Sequence, residues 1–138
     1  MKYKLLTDET KVHNGITLYR IQALYNFSNV KAGDKGGWIE KESNLSQYGS
    51  AWIYGNAIVY GNAKVHDNAT IYGNAVVYDD ARVYNDAQVY DNAIVYGYAM
   101  IYAEAKVYGN AKVYGNAKVY GNAKVYGYAN ICGCTKVF

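Results

Sequence analysis

The sequence predicts an all-β solenoid: a triangular prism of stacked parallel coils, entered through a short N-terminal β cap. Three observations predict it. From Ala51 to Cys134 the chain repeats in sixes without a gap, 14 hexads in 84 residues, and Thr135-Lys136-Val137-Phe138 begins another. Within the hexads the first position is always Ala and the third always Val or Ile; the fourth is Tyr except at His66 and Cys132, and the fifth is Gly, Asp or Asn except at Ala103. The 138 residues also hold 18 Tyr against two Phe and two Trp, with no Pro, more Tyr than one small domain can bury.

A helix fails on arithmetic. Six residues at about 100° each would set successive Val about 240° apart, leaving no apolar stripe. A strand fits, because Ala and Val lie two apart and share a face while the residue between them and the Tyr point the other way. Gly-Asn or Asp-Asp then supplies a corner, since these residues tolerate positive φ. A flat meander of such strands would leave its Ala/Val face uncovered. Three hexads per coil close that face on itself. Fourteen hexads then make nearly five coils at ~4.8 Å each, a prism roughly 20–25 Å long. Absent Pro agrees, because nearly every strand must donate to the coil beside it.

The spacing of an aliphatic residue and a small one four later, Val107 then Ala111, Val113 then Ala117, resembles the hexapeptide repeat of left-handed parallel β-helices. The resemblance covers residues 51–138. Bactofilin-like proteins have similar short repeats of right-handed winding, so the left hand is inferred from the strict six. The segment Asn44–Ala57 also resembles uncharacterised bacterial and prophage repeat proteins. That likeness implies the fold and a phage or prophage context, and it brings no established chemistry.

Residues 1–50 lack the regular hexad and are read as the cap and its junction, with residues 51–138 as the solenoid. His13-Asn14-Gly15-Ile16 is a hairpin signal. Ala32–Trp38 is a glycine-rich loop without the Gly-Lys-Ser/Thr of a phosphate cradle. Leu45 reads as an inward residue, yet Ile53 follows eight later, so two extra residues sit at the junction.

Stacking by 18 residues predicts three outward ladders. They are Tyr54, Tyr72, Tyr90, Tyr108 and Tyr126; Tyr60, Tyr78, Tyr96, Tyr114 and Cys132; and His66, Tyr84, Tyr102, Tyr120 and Phe138. Such rungs can simply stack coil on coil, or they can form an aromatic contact surface. Charge is uneven along the chain. Residues 1–50 carry a net +2, residues 51–104 a net −4 and residues 105–138 a net +5. The acidic middle beside the ladders is the candidate protein-binding surface: Tyr72, Tyr78, Asp79, Asp80, Tyr84, Asp86, Tyr90 and Asp91. The C-terminal Lys spread over all three faces, which disfavours nucleic acid for want of a concentrated phosphate-tracking groove.

The chain stops inside a strand, leaving an unpaired edge. A second copy docking there is expected, as a two-fold dimer with a side-by-side trimer as the rival. Lys124, Tyr126, Ile131, Cys132, Val137 and Phe138 would lie at that contact. Many proteins of the resembled family are acyltransferases, which implies a catalytic His, projecting loops and often a C-terminal helix. Here no loop interrupts residues 51–134, and His66, followed by Asp67, is the one His in the coils. Two His in total are too few for the three-His zinc site of the related carbonic anhydrases. Cys132 and Cys134 are too closely spaced for CxxC and read as free thiols.

No apolar run approaches the ~20 residues of a membrane span, and Met1–Asp8 has no secretion-type apolar stretch. A cytoplasmic, non-catalytic protein-binding module without metal or cofactor is the expectation, read as a phage or prophage protein engaging a host factor. An acyltransferase and a self-assembling structural protein are the alternatives.

Overall fold

The computed structural model describes residues 1–138. Three longer strands come first: β1 (Tyr3–His13), β2 (Ile16–Ala23) and β3 (Lys35–Ile39). A 3-10 turn at Glu42–Asn44 follows. Thereafter each hexad forms one two-residue strand at its second and third positions, from β4 (Trp52–Ile53), β5 (Ile58–Val59) and β6 (Lys64–Val65) to β18 (Lys136–Val137).

Every coil strand pairs in parallel with the strand 18 residues on: Trp52 with Thr70, Ile58 with Val76, Lys64 with Arg82. Three hexads therefore close one coil, and the strands stack into three sheets. The second hexad position points outward and gives each face a column. Face one carries Trp52, Thr70, Gln88, Lys106 and Lys124. Face two carries Ile58, Val76, Ile94, Lys112 and Asn130. Face three carries Lys64, Arg82, Met100, Lys118 and Lys136.

The Ala and Val or Ile of each hexad fill the prism and are buried from Ala51 through Val125. The outward residues donate to the next coil, as Ile58 N–H does to the Ala75 carbonyl and Tyr60 N–H to that of Val77, both at 3.0 Å. Every corner turns on its fifth residue, with φ from 54° to 67° along the 14 hexads. Gly, Asp and Asn adopt this left-handed region readily. Ala103, at φ 56°, is the one residue of another kind there.

Parallel stacking begins before the strict hexads. β3 pairs with β5 through Trp38–Ile58 and Ile39–Val59, and Leu45 bridges to Val65. Ile39, Leu45 and Ile53 thus form an irregular first coil, with the two extra residues between Leu45 and Ile53, and the stack has nearly six coils. Residue 50 marks where the strict six starts, not where the coils start. Gly37 takes the place of the inward Ala in this coil, where a Cβ would come within 2.6 Å of the Ala57 carbonyl oxygen and of Ile53. Asn44 is fully buried and uses its whole amide. Its Oδ1 accepts from the N–H groups of Glu40 (3.1 Å) and Lys41 (2.9 Å), and its Nδ2 donates to the carbonyls of Gly61 (3.1 Å) and Ala63 (2.9 Å).

The β1–β2 hairpin closes the N-terminal end. It turns at Asn14 and Gly15, both at positive φ, and β2 pairs antiparallel with β3 at the edge of face two. Leu18 is fully buried against Ile58 and Tyr60. Inside, the rings of Tyr3 and Phe27 meet Trp52 edge-on at 6.2 and 5.2 Å. Lys2 is buried beside them and donates from Nζ to the Ala51 carbonyl at 2.7 Å. No helix is long and apolar enough to cross a membrane.

Candidate binding surface

All three ladders form as the 18-residue stacking predicts. Within them the rings stack with centroids 4.7 to 5.4 Å apart and planes within 19°. His66 is an ordinary rung, 5.0 Å from Tyr84, and Phe138 is another, 5.3 Å from Tyr120. One pair differs: Tyr54 stands at 88° to Tyr72, 6.4 Å away. A stacked ring spends its faces on its neighbours and shows the solvent only its edge and hydroxyl. The ladders therefore hold the coils together and offer no free platform for stacking nucleobases. Burial, with neighbouring phenols adding to it, raises the pKa of Tyr72, Tyr78, Tyr84 and Tyr90 above the ordinary phenol value.

The eight residues of the acidic middle lie close together along the axis but apart around it. Tyr72, Tyr90 and Asp91 sit at the corner between faces one and two. Tyr78, Asp79 and Asp80 sit between faces two and three, and Tyr84 and Asp86 between three and one. No single face presents them all. Two of the carboxylates also have structural work. Asp79 Oδ2 accepts from Gly97 N–H and Asp91 Oδ2 from Gly109 N–H, each at 3.1 Å and one coil on.

His66 Nδ1 lies 3.2 Å from Asp67 Oδ1, in the open. The backbone N–H of Asn85, then the His66 ring, hold the Asp67 carboxyl below the usual carboxylate range. This is the one His–carboxylate pair in the chain. No group of three or more His, Cys, Asp or Glu is placed to hold a metal ion. Cys132 and Cys134 are exposed free thiols. With Lys124, Tyr126, Ile131, Val137 and Phe138 they belong to the last turn of the stack, where Ile131 and Val137 are half-buried and the others exposed.

The three outward columns differ in kind. Face three stacks four cations, Lys64, Arg82, Lys118 and Lys136, none of them in an ion pair. Face two is aliphatic over its first three rungs, whereas face one is polar beyond Trp52 and face three is cationic except at Met100. Ile58 is buried under the hairpin, and Val76 and Ile94 continue the column half-buried beside Tyr78 and Tyr96. Reading charge in chain order missed this column. Its signal was present at the second position of every third hexad.

A family model described as YdcK Beta solenoid repeat matches residues 51–67 and 87–102. Matched repeats, the unbroken six and three sheets of stacked parallel coils agree on one architecture. The chain folds as a β-helix of six-residue repeats. Over 46 residues this β-helix is 44% identical to a protein named Uncharacterized acetyltransferase YdcK from Escherichia coli (strain K12). The aligned stretch is 33% of this chain and 14% of that relative, so the β-helix spans a small part of the relative's length.

Proposed function

We propose that this β-helix is a rigid, non-catalytic module that binds a protein partner through face two. One observation carries the reading: the outward column Ile58–Val76–Ile94 is aliphatic, and the chain already seals its first rung with Leu18 of the hairpin. Beyond that rung, Val76, Ile94, Tyr78 and Tyr96 form a half-exposed apolar strip. An apolar strip on a scaffold of stacked coils presents preorganised contact area, so ordering the surface on binding costs little. Asp79 and Asp80 at its edge and Lys112 at its end would orient the partner and set association rate more than affinity. In this reading the partner is a host protein, in keeping with the resemblance to prophage repeat proteins.

The test compares two charge insertions in affinity capture with identified partners. Val76→Lys with Ile94→Lys should abolish capture. Replacing Asp79, Asp80 and Asp86 by Lys should weaken it only modestly. Unchanged capture by the first variant, in a folded protein, removes face two from consideration.

A second reading, acyl transfer, draws on the name of the relative and on the His66–Asp67 pair, which has the geometry of an oriented general base. An acetyl-CoA thermal shift lost in His66→Ala would support it. No shift with acetyl-CoA would set it aside.

A further inference from the structure

We propose that a groove on face one, beside the cap, binds the ring of a neutral saccharide. The groove is shallow and open to solvent, offers about 430 Å³ and is lined by Asn29 of the cap, Tyr54, Thr70, Tyr72 and Gln88. None of the five is charged, whereas the grooves along the corner between faces three and one and beside Arg82 and Lys118 carry Asp67, Asp86 and Glu104, or Asp80. A phosphate or carboxylate ligand would find no cation in this lining, and an ammonium no carboxylate.

Two further features select a sugar. Tyr54 is turned out of its ladder, at 88° to Tyr72, so its ring is not sandwiched as its neighbours are. Half-buried against the core, Tyr54 lines the groove as an aromatic wall, which suits the apolar C–H face of a pyranose. Around it stand hydrogen-bonding groups with no partner in the chain: the side-chain amide of Asn29 and the hydroxyls of Thr70 and Tyr54. The Tyr72 hydroxyl donates to Gln88 Oε1 at 3.2 Å, which fixes that amide and leaves both Nε2 hydrogens free. A neutral polyol edge supplies the acceptors and donors this set lacks. The coils hold Thr70, Gln88 and both Tyr on a stiff sheet, so little ordering would precede binding.

Saturation-transfer NMR with maltotriose, cellotriose and chitotriose at millimolar concentration tests the site, with adenosine as a planar competitor. At least one trisaccharide should give saturable transfer. Gln88→Ala and Thr70→Val should each weaken it several-fold, while Lys118→Ala on face three leaves it unchanged. Thr70→Val keeps the side-chain shape and removes the hydroxyl, so its loss of binding would not arise from misfolding. The proposal is overturned if none of the three sugars binds, if adenosine alone binds, or if binding survives both variants.

Discussion

Asp67 Oδ2 accepts a hydrogen bond at 3.0 Å from the backbone N–H of Asn85, the residue that turns the same corner one coil later. Asn85 Oδ1 in turn accepts from Ala103 N–H at 3.0 Å. A left-handed corner residue aims its Cβ at the next coil, so a short polar side chain there ties the coils together. Asp or Asn in the fifth hexad position is thus a structural alternative to Gly, worth about one hydrogen bond in exchange for the strain of positive φ.

Ala103 carries that strain with no side-chain bond to offset it. Ala103→Gly should therefore stabilise the protein by about 0.5–1 kcal/mol. Urea unfolding should show a higher midpoint with an unchanged slope.

Two glycines should fail for different reasons. Gly55 has open space around its missing Cβ but sits at φ 59°, so Gly55→Ala should cost about 1 kcal/mol through backbone strain. Gly37 has no positive φ, yet its Cβ would meet backbone at 2.6 Å. Gly37→Ala should cost about 3 kcal/mol or more, because β3 must shift from β5 to make room. Thermal unfolding of the two variants side by side would distinguish the mechanisms by size.

Asn44→Leu keeps the approximate volume but buries no amide to replace the bonds to Lys41 N–H and to the Gly61 and Ala63 carbonyls, while Glu40 N–H keeps the Val59 carbonyl. A loss of about 3 kcal/mol or more is expected. Ser43→Ala, at an exposed neighbour, should lie within about 0.5 kcal/mol of the parent. Equal melting temperatures for the Asn44 variant and the parent would show that water replaces the amide.

Stability should rise through the alkaline range and peak near pH 10. Burial pushes Lys2 down to about 8 from 10.5, so the unfolded chain binds the extra proton between those values and stability rises with pH across that window. Burial raises Tyr3, Tyr54 and the central ladder phenols above 10.0, so the folded state keeps protons the unfolded chain sheds. Stability should then fall as pH climbs past about 10. Lys2→Met should remove most of the rise, leaving the part that belongs to Lys11, also held down by burial and by Arg20, and should leave the fall, measured as urea midpoints across the range.

Much of this was legible in the hexads. Ala and Val two apart fixed which residues go in, and a period of six with three hexads per coil fixed which Tyr meet. His66 and Phe138 could be assigned as rungs for the same reason. The cap was legible only in part. Asn14-Gly15 announced its turn, but nothing local announced that Leu18 would cover Ile58 or that Asn44 would bond to Gly61 and Ala63. Those contacts join segments 17 to 40 residues apart with no shared period.

The candidate surface shows the same division. Chain order made Asp79, Asp80, Asp86 and Asp91 look like one acidic patch, yet each hexad turns the chain about a third of the way round the axis, so neighbours in sequence face different ways. The aliphatic column on face two and the uncharged groove on face one emerge only when residues 18 apart are set side by side. By itself the sequence determined the strand, the corner and the period, because those depend on side-chain alternation and local φ. The tertiary structure decided which faces are apolar, which are covered and which remain open, because that depends on where the hairpin and the loop after it come to rest on the closed prism.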